Sequence, residues 1–225
     1  MARSAVWTST IGLKVAMAVS GAALVGFVLA HMLGNLQIFA GPEVFNAYAH
    51  FMQGLGGLLW VARLGLLGML VVHVGAAVML SRRNFAARPQ RYASLKARRT
   101  TPYAKAMLYT GIVVLAYVAY HLAHFTLGMA HPDYFYAVDE LGRRDVYTNF
   151  VISFENPIIA GTYIVANVAL AAHLAHATTS MFRSVGLSVG RFKEPLAKVG
   201  PAVGLVVGLG NVAMPLACWL GVISV

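Results

Sequence analysis

Long apolar runs separated by short polar connections make up most of this chain. Five runs are long enough to cross a bilayer, whose hydrocarbon core needs about 20 mostly apolar residues per helix. The pattern therefore predicts an all-α membrane protein in which five transmembrane helices form a bundle. The predicted helices cover residues 15–39, 55–80, 104–130, 157–182 and 201–225.

The composition agrees with this pattern and limits what else the chain can hold. Hydrophobic residues make up 59% of the 225 positions and charged residues only 11%, whereas soluble domains are about 25% charged. The first run is too long for a cleavable signal peptide. Because the five runs hold most of the chain, we expect residues 1–225 to form one transmembrane domain without a soluble catalytic unit.

The basic residues are concentrated in alternate connections, which predicts the orientation of the chain. The net charge is +10, yet residues 40–54 contain no Lys or Arg, and residues 131–156 are acidic on balance. The rule that Lys and Arg stay on the cytoplasmic side places the N-terminus in the cytoplasm and the C-terminus outside, in the inner (cytoplasmic) membrane of a cell. The basic residues on the predicted cytoplasmic side are Arg3, Lys14, Arg82, Arg83, Arg88, Arg91, Lys96, Arg98, Arg99, Lys105, Arg183, Arg191, Lys193 and Lys198.

Six of the eight histidines fall inside the apolar runs, although ionisable side chains are rare within membranes and usually functional there. A single buried histidine most often makes an interhelical hydrogen bond, but six of them on four predicted helices indicate a shared role. The six are His31, His73, His121, His124, His173 and His176.

Four of these histidines form two pairs by depth. His31 lies about 12 Å short of the outer end of its predicted helix, and His121 lies about 13 Å short of its own. His73 lies about 10 Å before the inner end of its helix, and His173 about 13 Å before its own. We call His31 and His121 the outer pair, and His73 and His173 the inner pair.

Two histidine pairs at two depths are the arrangement that two bis-histidine haems require, because each iron takes one imidazole from each of two facing helices. Cys218 is the only cysteine, so haem would be held without a covalent Cys-x-x-Cys-His attachment. The sequence HLAH occurs twice, at residues 121–124 and 173–176. Residues three apart share a helix face, so spacing alone leaves both histidines of each HLAH open as the ligand.

An ordered set of segments carries a family resemblance. The segments are LAHMLGNLQIF (29–39), FNAYAHFM (45–52), VVH (71–73), RPQRY (88–92), YHLAHF (120–125) and HLAHATTSMFRSVG (173–186). Together they resemble the cytochrome b membrane-anchor subunit of succinate:quinone oxidoreductases, the complex II class that includes fumarate reductases. Within that class the chain resembles the type with one five-helix anchor and two haems b.

The resemblance implies that His31 and His121 bind the outer haem b and that His73 and His173 bind the inner one, which favours the first histidine of each HLAH. It also implies two partner subunits on the cytoplasmic face, a flavoprotein that carries out the succinate chemistry and an iron–sulfur subunit. Electrons would pass between the iron–sulfur subunit and a membrane quinone, and menaquinone is compatible with the family pattern. No nucleic acid is implied.

The basic cytoplasmic connections have two interpretations on their own, contact with anionic lipids and docking of a soluble partner. The resemblance favours docking.

Two positions depart from some fumarate-reducing members of the family. Ala171 stands two residues before His173 where those members carry a glutamate linked to proton movement, and Gln53 roughly matches the position of a carboxylate near their outer quinone site. These departures favour succinate oxidation.

Three further polar residues are candidates for the same chemistry. Arg63 is the only Lys or Arg well inside a run, and it either reaches out to the outer interface or pairs with a haem propionate. His50 and Gln53 lie in a short amphipathic stretch, residues 45–53. Each either packs at the interface or donates a hydrogen bond to a quinone carbonyl.

Two other functions fit parts of the pattern. A dihaem cytochrome b could anchor a different dehydrogenase, such as one for formate or hydrogen. A histidine-lined transporter would relay protons instead, but such proteins usually show a buried Asp or Glu and broken or repeated helices. A zinc site is disfavoured because no carboxylate lies inside the five runs.

Overall fold

The structure is a computed structural model that describes residues 9–87 and 102–225. Within these ranges the chain is all-helical, and its only extended pairing is an isolated bridge between Val138 and Arg144. The α-helices are α1 (Thr10–Asn35), α2 (Pro42–Gly54), α3 (Gly57–Ala86), α4 (Pro102–His121), α5 (Val146–Glu155), α6 (Pro157–Ser184) and α7 (Lys193–Trp219).

Short segments of other helical types extend three of these helices. A 3₁₀ turn at Leu36–Ala40 continues α1, a π-helical turn at Leu122–Thr126 continues α4, and a 3₁₀ turn at Gly190–Phe192 precedes α7. With these extensions, five helices in the described ranges are long and apolar enough to cross a membrane. The predicted multi-pass transmembrane character is therefore confirmed, whereas the identity of the membrane and the orientation of the termini stay predictions.

The last helix is displaced from its prediction. The prediction began it at residue 201, but α7 begins at Lys193 and contains both Pro201 and Pro215. The apolar run shows only the part of a helix that crosses the membrane. The helix α7 itself begins earlier, with a polar first turn outside the apolar run. The chain after α7 folds back instead of continuing the helix, and the hydroxyl of Tyr147 donates a hydrogen bond to the carbonyl oxygen of Ser224 over 3.1 Å.

Several basic residues of the predicted cytoplasmic face lie outside the described ranges. They are Arg3, Arg88, Arg91, Lys96, Arg98 and Arg99, and the RPQRY segment lies there too.

Helices α1 and α6 occupy the middle of the bundle. α1 packs against α3 and α6, and α6 packs also against α4 and α7. The α6–α7 contact is close because small residues meet there. A Cβ atom on Gly204 would lie 2.6 Å from the carbonyl oxygen of Ala171, and one on Gly208 would lie 3.0 Å from the Cβ of Ala171. Ala171 therefore faces α7, and a glutamate at this position would force the two helices apart.

A cap outside the spans covers one end of the bundle and consists of residues 41–54 and 127–156. The sequence predicted connections here, with an amphipathic stretch at residues 45–53, and the structure places α2 and α5 in them. α5 starts after Asp145, whose side chain accepts a hydrogen bond from the backbone N–H of Thr148 over 3.0 Å. Such an acceptor satisfies one of the free N–H groups at a helix start.

Polar contacts join the two parts of the cap. Arg143 forms a bidentate ion pair with Glu43 of α2, with N–O distances of 2.9 and 2.8 Å, and its Nε lies 2.8 Å from Asp139. The side-chain oxygen of Asn46 accepts a hydrogen bond from the backbone N–H of Tyr147 over 2.9 Å. These contacts fix α2 against the start of α5 and close the end of the bundle near the outer pair.

Candidate functional site

Hydrogen bonds orient both rings of the inner pair. Nδ1 of His73 lies 3.1 Å from the carbonyl oxygen of Met17 and 3.4 Å from the hydroxyl of Ser20. A carbonyl only accepts, so Nδ1 is the donor. Nδ1 of His173 lies 3.2 Å from the hydroxyl of Thr110, which itself donates to carbonyl oxygens of α4 and can therefore accept from the ring. In the neutral rings both Nε2 atoms then keep a free lone pair.

The inner pair also has glycine next to each ring. A Cβ atom added to Gly21 would lie 3.1 Å from Cε1 of His73, and one added to Gly111 would lie 3.5 Å from Cε1 of His173. The two imidazoles are close enough to interact electrostatically. The structure thus brings together His73 of α3 and His173 of α6, which the sequence paired by depth.

The outer pair is in direct contact. The ring centroids of His31 on α1 and His121 at the end of α4 are 5.7 Å apart, with the ring planes at 85°. Nε2 of His31 accepts a hydrogen bond from the side-chain amide of Asn35 over 3.0 Å. Nδ1 of His121 is buried and has no hydrogen-bond partner within the described ranges.

Aromatic rings surround the outer pair. Phe27 stacks on His31 with a centroid distance of 5.3 Å, and Tyr117 and Phe125 lie 5.8 and 5.7 Å from His121. Sequence reasoning missed these neighbours. The signal was present in the spacing, because each of the three stands four residues from its histidine, on the same helix face.

His124, the second histidine of the first HLAH, has a different environment. It is fully buried in the π-helical turn, its Nδ1 lies 2.9 Å from the hydroxyl of Tyr163, and its Nε2 lies 3.1 Å from the hydroxyl of Ser153. Ser153 donates to the carbonyl oxygen of Asn149, so it accepts from Nε2, and Tyr163 donates to Nδ1. Both ring nitrogens are thus engaged, which describes a structural histidine.

His176, the second histidine of the other HLAH, bonds within its own helix. Its Nε2 lies 3.0 Å from the hydroxyl of Ser180, one turn along α6. Neither His124 nor His176 makes a hydrogen bond or ring contact with a histidine of the inner or outer pair in the described ranges. The structure therefore separates the two histidines of each HLAH, which spacing alone left equivalent.

The other polar candidates lie away from the pairs. Arg63 is exposed on α3, and its guanidinium lies 5.2 Å from the ring centroid of Trp60. No hydrogen bond or ring contact joins it to the outer pair within the described ranges. His50 and Gln53 are exposed on α2. Their proposed contacts with a propionate or a quinone stay predictions.

The residues present fit a haem at the inner pair. Metal-bound histidine usually donates its other ring N–H to a carbonyl or similar acceptor, as Nδ1 of His73 and His173 do. Their Nε2 atoms would hold the haem iron.

The outer pair fits a haem with one local rearrangement. Nε2 of His31 is engaged by Asn35, so this amide would have to turn away before the ring could bind iron. His121 needs no such release, but its Nδ1, which has no hydrogen-bond partner among the described residues, would lack the acceptor that a metal-bound histidine usually has. The inner site is therefore the better prepared of the two.

Comparison of the chain with protein-family models, with curated proteins and with solved structures finds no match.

Proposed function

We propose that this protein is the membrane-anchor cytochrome b of a succinate:quinone oxidoreductase. The observation that carries the proposal is the placing of four histidines as two interhelical pairs inside a five-helix membrane bundle, with the rings of His31 and His121 in contact and those of His73 and His173 near enough to interact electrostatically. Bound haem b would supply a one-electron carrier at each pair. The motifs that resemble the complex II anchors include all four of these histidines.

The chain's own residues then have defined tasks. His73 and His173 bind the inner haem, and Met17 and Thr110 hold their rings through Nδ1. His31 and His121 would hold the outer haem, where the rings of Phe27, Tyr117 and Phe125 exclude water. The succinate chemistry takes place on a partner flavoprotein, and this chain passes electrons between an iron–sulfur partner and a membrane quinone.

The basic end of the bundle is the proposed docking face for the partner subunits. Arg82 and Arg83 lie in the last turns of α3, Arg183 lies at the end of α6, and Arg191 and Lys193 lie at the start of α7. These helix ends meet on one side because neighbouring spans run in opposite directions. We place this side in the cytoplasm and the cap outside, in the inner membrane of a cell.

A haem assay on the purified protein tests the proposal. A pyridine haemochrome measurement should give two haems b per chain, and His31→Ala and His73→Ala should each lose one. His176→Ala is the matched control, since this half-buried histidine bonds to Ser180 of its own helix, and it should retain both haems. A wild-type chain without haem would overturn the proposal and favour a histidine-lined transporter.

The identity of the subunits that co-purify with the protein tests which dehydrogenase supplies its electrons. A flavoprotein and an iron–sulfur protein with succinate dehydrogenase activity are expected. A formate or hydrogen dehydrogenase in their place would keep the dihaem cytochrome but overturn the assignment to complex II.

A further inference from the structure

A cleft opens towards the lipid between α4 and α6. It has a volume of about 620 Å³ and apolar walls that include Val113, Ala116 and Val165. Its polar groups come from Tyr117, Tyr120 and Thr162. Small-molecule sites are typically clefts of about 300–1,000 Å³ with apolar walls and a few polar groups, so this cleft has both the size and the lining of a ligand site.

A second, smaller pocket lies in the cap. It has a volume of about 120 Å³ and is lined largely by polar residues, among them His131, Asp133 and Asn149. One hydrogen bond connects the two cavities, because the hydroxyl of Tyr120 lies 3.0 Å from Nε2 of His131. Tyr120 lines the cleft and His131 lines the cap pocket. The bond is thus a direct polar link between a lipid-facing cavity and the extramembrane cap.

We propose that the cleft between α4 and α6 binds the ring of a quinone or quinol, and that Tyr120 and His131 carry its protons to and from the cap pocket. This inference rests on the proposed function and adds the place of the quinone and the route of its protons. It differs from the earlier expectation for His50 and Gln53, which are on α2.

The chemistry of the cleft favours this occupant. Val113 and Val165 are 43% and 68% exposed on the lipid side, so a membrane-soluble molecule can enter directly. A quinone has a flat apolar ring for the walls and two oxygens for hydroxyl groups. The cleft also adjoins the outer pair, since Tyr117 lines it and its ring centroid is 5.8 Å from that of His121.

A hydroquinone that becomes a quinone releases two electrons and two protons, and haems held by the two histidine pairs would accept the electrons. Each O–H proton can pass to the oxygen of Tyr120 while the Tyr120 proton passes to Nε2 of His131. Tyr120 regains its hydrogen and His131 gives the proton up to the cap pocket, beside Asp133. Quinone reduction follows the same steps in reverse.

Photolabelling with an azidoquinone tests the site without depending on haem or on activity. In membranes that contain the assembled protein, the label should attach to α4 and α6. Ala116→Phe fills the cleft and should reduce the labelling roughly tenfold or more, the range for a steric change in an apolar pocket. Ala119→Phe, also exposed on α4 but outside the cleft, is the control and should label normally.

Quinol-driven reduction of the cytochrome tests the proton route. Tyr120→Phe should keep the labelling but slow the reduction about 100-fold, as expected for a lost proton-transfer group. Tyr109→Phe, on the exposed face of the same helix, should react at the normal rate. His131→Ala should be slow as well, and added imidazole should restore part of its rate, which a purely structural defect would not allow.

The outcomes separate this inference from the proposed function. Haem in the protein with labelling on α2 near His50 and Gln53 would overturn the inference and leave the proposed function standing. Labelling in the cleft of a protein without haem would support the binding site and overturn electron transfer. Normal quinol reaction in Tyr120→Phe would overturn the proton route.

Discussion

The inner and outer histidine pairs are held in place by different means. In the inner pair, each Nδ1 has an oxygen partner, Met17 for His73 and Thr110 for His173. In the outer pair, the rings contact each other directly, Nε2 of His31 is engaged by Asn35, and the buried Nδ1 of His121 has no partner among the described residues. Hydrogen bonds set the direction of both rings in the inner pair, whereas in the outer pair packing sets the direction of the His121 ring.

This difference has a consequence for ligand binding. Acceptors that fix the ring of a metal-bound histidine raise its basicity and reduce the cost of ordering it. We therefore expect the inner site to bind haem more tightly, and to depend on neighbouring side chains that never touch the iron. Haem binding at the outer site should depend on how the neighbouring aromatic side chains pack around it.

The largest effect is expected from Gly21→Leu, which adds a side chain against the ring of His73. A Cβ here would already lie 3.1 Å from Cε1 of His73, so the ring must move. The variant should lose one of its two haems and keep the outer one, as measured by haemochrome and by the reduced-minus-oxidised spectrum. Gly26→Leu, five residues along α1 with no atom within 4 Å of its Cβ position, should keep both. Loss of both haems in Gly21→Leu would mean that the two sites are not independent.

Next in size is the effect of removing a side chain that hydrogen-bonds to a histidine of each pair. Thr110→Val removes the acceptor for His173 and should weaken the inner haem by about 10–100-fold, the range for such partners of metal-bound histidine. Asn35→Leu removes a group that competes for Nε2 of His31, so it should not weaken the outer haem. The rate of haem transfer to a scavenging protein measures both. Equal weakening by the two variants would remove the distinction between the pairs.

The second histidines of the two HLAH segments give a smaller effect, this time on stability. His124→Leu leaves the hydroxyl of Tyr163 buried without its partner, which costs about 1–3 kcal/mol. His176→Leu should cost less, since the hydrogen bond that it loses is to Ser180 on its own helix, where His176 is half-buried. Thermal denaturation in detergent measures both variants, and both should still bind two haems. A His124→Leu protein as stable as the wild type would show that its hydrogen bonds contribute nothing.

The spans could be predicted from sequence because apolarity over about 20 residues is a one-dimensional signal. The start of α6 was placed correctly at Pro157, where Asn156 accepts hydrogen bonds from the first N–H groups. The start of α7 and the helix α5 were not predicted. Both depend on polar residues outside the membrane, where helix ends are decided by caps and tertiary contacts instead of by apolarity.

The site was predictable to a different extent. Depth along straight helices was enough to pair His31 with His121, and the structure brings these rings into contact. Depth could not distinguish His121 from His124, because that choice follows from helix rotation and from the hydroxyl groups of Tyr163 and Ser153. These two hydroxyl groups stand 39 and 29 positions after His124 in the sequence. A local sequence pattern contains no information about contacts over such a separation.

A change in pH should weaken the ion pairs of the cap, near the outer pair, without affecting the inner pair. Hydrogen bonds from Arg143 hold the pKa of Glu43 below its ordinary value of 4.5. For Asp139, burial raises the pKa, but the hydrogen bonds from the Arg143 side chain and backbone outweigh it, and the net shift is downward. A carboxyl with a lowered folded pKa stabilises the fold above its unfolded pKa and loses that contribution as the pH falls through the folded value.

Arg143→Gln should therefore destabilise the protein at neutral pH and match the wild type in acid, once both carboxyl groups are protonated. This is the smallest of the four effects, since Glu43 is exposed and solvent screens the pair. Melting curves from pH 7 down to about pH 2 measure it, with Glu140→Gln on the same loop as the control. Because the ion pairs lie in the cap, the haem at the inner pair should show no matching change over this range. A parallel change at both sites would mean that the cap and the inner pair are coupled through α1 and α6.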